Sequence, residues 1–405
     1  MPGPSEHEQK VGDFYSEFPY PWHVTRLAAP NDATLYPALV AQELGDFGRR
    51  RMPANARIWV PGCGVNQALI MALQFPGAQV VGSDVSEESL DMCRAAARQT
   101  DVTNLVLRDE GIAEAGYDAE FDYIACTGVI HHHPDPSLLL RRVGAALKPD
   151  GILELMIYNV FHRREITAFQ EAMRLLGKEQ DLLFARRLAN SLTTDNGLRR
   201  QLRDELGEPE EQFADTWLNP CERNFSVRSL HEMASGAGLE LEAPCVSRLS
   251  AALDLYDWSV PFQDAKLAAY ASTLDDATRW QVCQLLKIEH SPLLWFYLRR
   301  MDSPRPTMSE AERDTAFLDS VVSPVHATER VWTLGRSGGY QKLGSDQAVA
   351  AGPSRYPEVV SAADGVRTVG EICAVLGRPA EGEALRRMRI ELTTPAFPYL
   401  RSSPS

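Results

Sequence analysis

A glycine-rich turn and an acid further along the chain are the residues of this sequence best suited to hold a ligand. The turn Pro61-Gly62-Cys63-Gly64 follows an apolar run at 57–60, and Asp84 ends a second apolar run 22 residues after Gly62. Glycines let the backbone approach a ligand closely, and a carboxylate accepts two hydrogen bonds from a ribose diol. Because a helix-compatible segment at 66–74 follows the turn, the spacing predicts a site for a nucleoside-containing cofactor.

The turn also indicates which cofactor fits. A dinucleotide site uses a third glycine, so that the helix N-terminus can hold a pyrophosphate. Here Asn66 stands two residues after Gly64, and no further G-x-x-G follows. S-adenosylmethionine carries no phosphate and tolerates such a turn. We therefore expect S-adenosylmethionine rather than a dinucleotide.

The run His131-His132-His133 offers a base for proton transfer. Three consecutive residues cannot all point at one metal ion, and no H-x-x-H or acidic partner follows, so we expect no metal. A histidine has a pKa suited to taking a proton from a hydroxyl or an amine, and His132 is our first candidate for a catalytic base, with His131 second. The alternative is that these rings only pack under the following helix. Tyr158 and Asn159, just past a predicted strand, are acceptor-side candidates, and we include Tyr158 among the catalytic ones.

Two further segments are candidates to enclose the site. The first is the aromatic cluster at 14–22, in which Tyr15 or Tyr20 would close the cofactor pocket and exclude water. The alternative is that this cluster docks an N-terminal arm onto the sheet. The second is the loop at 215–223, where Trp217 and Asn219 would wall the acceptor pocket beside several charged residues. Solvation of those charges explains most of that loop equally well.

Short apolar runs and helical patterns alternate five times between residues 55 and 160. Such alternation predicts an α/β fold with a doubly wound, mostly parallel sheet, which binds ligands at the carboxyl ends of its strands. A helical insertion is predicted at about 163–220, a second at about 250–290, and a final strand at 293–298. Pro304 and Pro306 mark a linker near 303. Beyond it, 329–334 is expected to pair with 340–343 across Gly338-Gly339.

Four segments together resemble the class I S-adenosylmethionine-dependent methyltransferases: VPGCGVNQA, VVGSDVSEESL, FDYIACTGVIHH and LKPDGIL. A broader likeness, in FYSEFPYPW and DTWLNPCERNFSV, is to a largely uncharacterised bacterial subgroup that includes forms fused to tetratricopeptide repeats. The resemblance implies a seven-stranded Rossmann-like sheet. It also implies the cofactor-binding residues, by position: Pro61, Gly62, Cys63 and Gly64, with Asn66, at the methionyl end; Asp84 at the ribose; Val85, Asp109, Glu110 and Ile112 at the adenine; and Thr127 and Gly128 beneath the sulfonium. One departure is that Val60-Pro61 stands where many relatives have an acid.

The resemblance and the linker together divide the chain. We predict an N-terminal lid or arm at 1–54, a methyltransferase domain at 55–302 and a small winged-helix-like α+β appendage at 303–405. The last rests on ADGVRTVGEI, which is similar to a stretch of small winged-helix domains, among them peptide-recognition elements. A structural cap on the catalytic domain is the alternative role for this appendage.

Charge and cysteine content narrow the class of protein. A net charge of -14 argues against a protein that mainly holds nucleic acid. Seven widely spaced cysteines without a C-x-x-C pair, and an N-terminus without an apolar segment, predict a reduced cytoplasmic protein. The sequence contains no run of eighteen apolar residues, so we expect no membrane span.

We therefore expect a methyltransferase that acts on an oxygen or nitrogen nucleophile. The acceptor would be a small molecule or a peptide or protein side chain, and a homodimer is compatible with the sequence. Two alternatives stay open. One is a non-catalytic S-adenosylmethionine-binding sensor or scaffold, and the other is a nucleic-acid methyltransferase guided by the C-terminal appendage.

Overall fold

The structure is a computed structural model that describes residues 6–18, 24–48, 51–193, 195–336, 338–350 and 352–402. The strands are β1 (Arg26–Pro30), β2 (Arg57–Pro61), β3 (Gln79–Asp84), β4 (Leu105–Asp109), β5 (Phe121–Thr127), β6 (Leu147–Ile157), β7 (Leu239–Pro244), β8 (Leu294–Arg300), β9 (Val322–Pro324), β10 (Thr328–Leu334), β11 (Tyr340–Lys342), β12 (Gln347–Ala348), β13 (Phe397–Pro398) and β14 (Leu400–Ser402).

The helices are α1 (Glu6–Glu17), α2 (Leu35–Glu43), α3 (Gln67–Gln74), α4 (Glu87–Gln99), α5 (Pro136–Ala146), α6 (Arg164–Leu175), α7 (Leu182–Ser191), α8 (Gly197–Glu205), α9 (Glu210–Trp217), α10 (Val227–Gly236), α11 (Arg248–Ala252), α12 (Ala265–Ser272), α13 (Asp276–Lys287), α14 (Glu310–Asp319), α15 (Pro357–Ala362), α16 (Val369–Leu376) and α17 (Gly382–Thr393). Within the described part of the chain, no helix has the length and apolar content needed to cross a membrane.

The central element is a seven-stranded sheet of order β4-β3-β2-β5-β6-β8-β7. Strands β2 to β6 pair in parallel, and β8 runs antiparallel between β6 and β7. One face packs a core around Trp59, Phe121 and Phe296, and the other packs a core around Tyr123 and Tyr297. This confirms the predicted α/β fold with a mostly parallel Rossmann-like sheet.

Local sequence signals explain where several helices begin. Ser86 caps α4 by accepting a hydrogen bond from the Ser89 amide, and Glu87 and Glu88 occupy the first turn. Ser226 caps α10 in the same way, through the Ser229 amide. Helices α6 to α9 pack a core of their own, which includes Phe169 and Trp217.

The segments before and after the central sheet contact each other directly. Strand β1 pairs antiparallel with β10, from Arg26 opposite Thr333 to Pro30 opposite Glu329. Strand β10 also pairs with β11, which confirms the predicted hairpin. Helices α14 to α17 and the β9–β14 pair enclose a further apolar core. The predicted domain boundaries stay a prediction. The contacts between β1 and β10 join the segment 1–54 to the segment 303–405.

Candidate functional site

A cavity of about 270 Å³ lies at the carboxyl edge of the central sheet. Because the parallel strands all end at this edge, the loops that follow them meet there. The lining residues follow the strands across the sheet and come also from α1 and the 3₁₀ helix Ile130–His132: Val11, Tyr15, Gly62, Gly64, Gln67, Asp84, Val85, Ser89, Glu110, Gly111, Ile112, Thr127, Gly128, Val129, His132, His133, Leu139, Met156, Leu249 and Trp295.

The glycine turn after β2 forms the floor of this cavity. Gly62 has φ +61°, and a Cβ atom there would lie 2.5 Å from Cγ1 and 2.7 Å from Cγ2 of Val129. Gly64 has φ +51°. Glycine adopts such backbone without strain, and a Cβ atom at position 62 would force Val129 or the turn to shift. The turn therefore requires the two glycines for a reason that the structure makes explicit.

Asp84 lies opposite this turn, at the end of β3. Its Oδ2 accepts a hydrogen bond of 2.8 Å from the Gly64 amide, and its Oδ1 accepts one of 2.9 Å from the Ser86 amide. The residue borders the cavity. Burial raises the pKa of this carboxyl, and the backbone hydrogen bonds oppose that rise. Asp84 is thus oriented to accept hydrogen bonds from a diol.

The structure brings most of the predicted cofactor residues to the cavity. Those that line it are Gly62, Gly64, Asp84, Val85, Glu110, Ile112, Thr127 and Gly128. Those that do not are Pro61, Cys63, Asn66 and Asp109.

The four predicted residues away from the lining have other positions. The Cys63 thiol packs behind β3, where a Cβ atom on Gly82 would lie 3.1 Å from its Sγ. Asn66 is buried at the N-terminus of α3. Asp109 is exposed at the end of β4, with Asp84 as its Cα partner in the sheet. Pro61 is a buried residue of β2. Contact of these side chains with a cofactor stays a prediction.

His132 is the predicted base that reaches the cavity. Its Nδ1 lies 3.0 Å from the carbonyl oxygen of Cys221. A carbonyl only accepts, so Nδ1 carries the proton and Nε2 carries the lone pair in the neutral ring. Burial lowers the pKa of His132, although Asp215, the Cys221 carbonyl and Glu222 oppose that shift. The neutral, basic form is therefore the resting state at neutral pH.

The other two predicted catalytic residues, His131 and Tyr158, stack on each other beside the cavity without lining it. Their ring centroids are 3.8 Å apart. The Arg163 guanidinium lies 4.0 Å from the centroid of the Tyr158 ring and forms a bidentate ion pair with Glu222. Burial lowers the pKa of His131 well below its usual value. This stack supports the wall behind His132, and a direct catalytic contact of either ring stays a prediction.

Helix α1 lies across the cavity and is held there through Tyr15. Val11 and Tyr15, one turn apart, both line the cavity. The Tyr15 hydroxyl donates to Asp215 Oδ1 at 3.1 Å and accepts from Asn219 Nδ2 at 3.0 Å. Burial raises the pKa of Tyr15 well above its usual value, and the negative charge of Asp215 raises it further. The hydroxyl therefore keeps its proton. Tyr20, the other predicted lid residue, lies outside the described residues.

Trp217 and Asn159 occupy structural positions away from the cavity. Trp217 is buried in the core of α6 to α9, with its ring centroid 5.4 Å from that of Phe169. The Asn159 amide group donates to Ser291 Oγ and to the Pro292 carbonyl, and its oxygen accepts from Gln284 and from the Phe161 amide. No hydrogen-bonding capacity of Asn159 is left for an acceptor in this arrangement.

Several cavity residues carry no sequence signal of their own. Gln67, on the first turn of α3, donates to the Thr127 hydroxyl. Met156 and Trp295 occupy neighbouring strands as Cα partners. Leu249 lies on α11 with 51% of its surface exposed. Strand pairing brings Met156 and Trp295 together, and that pairing is not visible in any local pattern.

The fold and the site define an α/β protein in which a glycine turn, an acid and a histidine meet at one cavity. Comparison with known proteins narrows this class. A family described as "Methyltransferase domain" matches residues 61–153. An uncharacterized protein of Synechococcus sp. is 26% identical over 330 residues, which cover 77% of this chain and 76% of the relative. A ubiquinone biosynthesis O-methyltransferase of Actinobacillus pleuropneumoniae is 35% identical over 97 residues, only 41% of its own length and 23% of this chain.

Two solved structures of one protein resemble most of this chain. The structure of PKMT2 from Rickettsia typhi in complex with AdoHcy aligns with a TM-score of 0.56 at 16% identity, over 92% of this chain and 76% of that one. At this identity the likeness concerns the fold. The methyltransferase domain of the family match spans residues 61–153, the part of the chain that holds the glycine turn, Asp84 and His132.

Proposed function

We propose that this chain transfers a methyl group from S-adenosylmethionine to an oxygen or nitrogen nucleophile, carried by a small molecule or by a peptide or protein side chain. One observation carries the proposal: a single cavity brings together the glycine turn, Asp84 and a neutral His132. The match of residues 61–153 to the methyltransferase domain family supports the cofactor. The proposed class of acceptor rests only on His132 at the cavity wall.

The residues at the cavity fit this cofactor. The Asp84 carboxylate, held by the Gly64 and Ser86 amides, would accept from the ribose hydroxyls, and Gly62 presents its backbone to the same cavity. Ile112 is apolar and Glu110 is polar, as a flat heteroaromatic base with a hydrogen-bonding edge requires. When bound, S-adenosylmethionine supplies a methyl group already activated by its sulfonium, so alignment of the nucleophile is the main task left to the protein.

His132 would remove the proton that the nucleophile must lose. Nε2 accepts this proton, and the Cys221 carbonyl holds the ring in the required tautomer. Asp215 and Glu222 favour the positively charged ring, so they stabilise the imidazolium that forms. Helix α1 would exclude water from the same space, because Val11 and Tyr15 cover it.

Two measurements test the proposal in sequence. Calorimetry with S-adenosylmethionine and S-adenosylhomocysteine should show binding, and the absence of binding by both would contradict it. The chain is then incubated with S-adenosylmethionine and a panel of phenols, amines, carboxylates and peptides, with formation of S-adenosylhomocysteine as the readout. Binding without turnover on any acceptor would instead favour the non-catalytic sensor.

The role of His132 is tested on the first acceptor found. His132→Ala should lower kcat about 10²- to 10⁴-fold while the affinity for S-adenosylhomocysteine is retained. Since the pKa of His132 is lowered, the wild-type rate should rise with pH through a value below about 6.5 and be level at neutral pH. Unchanged kcat in the variant would exclude the base and leave the cofactor site intact. His133→Ala is the matched control, because that ring also lines the cavity.

A further inference from the structure

Glu154 is a carboxylate in the middle of the otherwise apolar end of β6. Its Oε1 accepts a hydrogen bond of 2.8 Å from the indole Nε1 of Trp295, and its Oε2 accepts one from the Tyr123 hydroxyl. The Cys245 thiol lies 3.9 Å from Oε1. Burial raises the pKa of Glu154, and the hydrogen bonds from Tyr123 and Trp295 oppose that rise. A partly buried acid is costly unless it has such donors, so the strand uses Glu154 to fix these side chains.

The indole that Glu154 holds belongs to the cavity wall. Trp295 is the Cα partner of Met156, and both side chains line the cavity. The Met156 carbonyl in turn accepts from the Gly128 amide at 3.1 Å. Strand order places β3 and its Asp84 on one side of the glycine turn, and Met156 and then Trp295 on the other. Trp295 therefore borders the half of the cavity farthest from the predicted ribose site.

The strands at this end of the sheet contribute an aromatic and an apolar side chain to the cavity, Trp295 and Met156. Tyr15, His132 and Leu249 line the same cavity. An indole attracts a cation to its ring face more strongly than other aromatic side chains do. A hydrogen bond from the indole N–H to a carboxylate adds electron density to the ring, and hydrogen-bonded groups polarise one another in this way.

We propose that Trp295 is a specificity-determining residue that favours ligands with positive charge in the acceptor half of the cavity, and that Glu154 is the positioning residue that orients its indole. The inference rests on the proposed function, because it takes S-adenosylmethionine as the ligand of the other half. Trp295 thereby favours an acceptor that is positively charged when it binds over an anionic one. An example is a protonated amine, which then gives a proton to His132.

Three cofactor-like ligands test this without knowledge of the acceptor. S-adenosylhomocysteine is neutral at sulfur, S-adenosylmethionine is a sulfonium, and sinefungin carries an ammonium where the methyl group would be. Calorimetry gives the affinity of each for the full chain and its variants. Trp295→Leu should weaken the two cationic ligands about three- to thirtyfold relative to S-adenosylhomocysteine, whereas Trp295→Phe should keep most of the preference.

Glu154→Gln is the independent arm, because it leaves the ring in place and removes the carboxylate charge. It should lower the same affinity ratio by about two- to fivefold. Val375→Ala, at an exposed position of α16 outside the cavity lining, is the control and should leave the ratio unchanged. Urea unfolding of each variant establishes that it folds.

Two outcomes overturn the inference. If Trp295→Leu and Glu154→Gln weaken all three ligands equally, the pair is a structural wall and selects nothing. If the wild-type chain binds none of the three ligands, the proposed function fails and this inference fails with it. Wild-type binding with an unchanged ratio in the variants overturns the inference alone, so the two failures are distinguishable.

Discussion

The Gly62–Val129 contact gives a quantitative test of the cofactor turn. An alanine at position 62 would place its Cβ 2.5 Å from Val129 Cγ1, and it would hold φ near +61°. The left-handed backbone costs about 1–2 kcal/mol for a residue with a Cβ. Overpacking of the kind that this clash produces costs typically about 1–3 kcal/mol. Gly62→Ala should therefore lower the free energy of unfolding by about 2–5 kcal/mol.

The same substitution should weaken cofactor binding, because the turn moves away from Val129 and carries Gly64 with it. The Gly64 amide donates to Asp84, so the shift reaches the predicted ribose site. A displacement that costs the bound state only about 1.4 kcal/mol lowers the affinity tenfold. Calorimetry with S-adenosylhomocysteine and urea unfolding measure the two effects separately.

A second substitution isolates the steric part. Val129→Ala removes both methyl groups that the new Cβ meets, so the double variant should regain about 1–3 kcal/mol relative to the sum of the single changes. The left-handed cost should remain. Gly116→Ala is the control, since a Cβ there meets nothing within 4 Å, and its effect should stay within about 0.5 kcal/mol. Wild-type stability in Gly62→Ala, or no coupling with Val129→Ala, would refute the steric argument.

Three further predictions concern other buried polar groups. Burial raises the pKa of Glu43 to about 8, so between about pH 4.5 and 8 the folded chain holds a proton that the unfolded chain has released. The free energy of unfolding of the protein therefore falls by up to about 1.4 kcal/mol per pH unit as the pH rises through this range. Glu43→Gln should remove this pH dependence in urea unfolding, and an unaltered pH dependence would contradict the argument. Tyr15→Phe leaves Asp215 without its donor and should cost about 1–3 kcal/mol and weaken S-adenosylhomocysteine binding, whereas equal affinity would show that α1 does not need this bond. Glu310→Ala removes one of the two buried carboxylates that pair with Arg389, Asp314 being the other, and should lower the free energy of unfolding by about 3–5 kcal/mol. An effect below about 1 kcal/mol would show that Asp314 alone is sufficient.

Local sequence signals were sufficient to predict the half of the site whose residues lie close to one another in the sequence. A strand, a glycine turn and an acid at the end of the next strand lie within about thirty residues of each other, and parallel topology forces those strand ends together. Asp84 therefore lies beside the glycine turn, where it accepts from the Gly64 amide. His132 reached the cavity for the same reason, since it closely follows β5.

The acceptor half could not be predicted in this way, because residues far apart in the sequence form it. Trp295 lies in a strand that enters the sheet antiparallel beside β6, and only that pairing places it next to Met156. Tyr15 meets Asp215 across 200 residues. The short pattern around Asn159 suggested a ligand contact, but Gln284 and Ser291 arrive from distant segments and use its amide completely.

Helix α2 shows why the division of the chain is harder to predict than the cofactor site. Every residue of Leu35–Glu43 is buried, so the helix has no solvent face from which an amphipathic pattern could arise. Its last two residues, Gln42 and Glu43, are polar and bond to different parts of the chain. Gln42 bonds the backbone of Thr393 and Leu400 in the C-terminal part, whereas Glu43 accepts from Tyr297 of the central sheet. A proline-rich segment marks a linker in the sequence, but α2, which precedes the cofactor core in the chain, fastens the C-terminal part to that core.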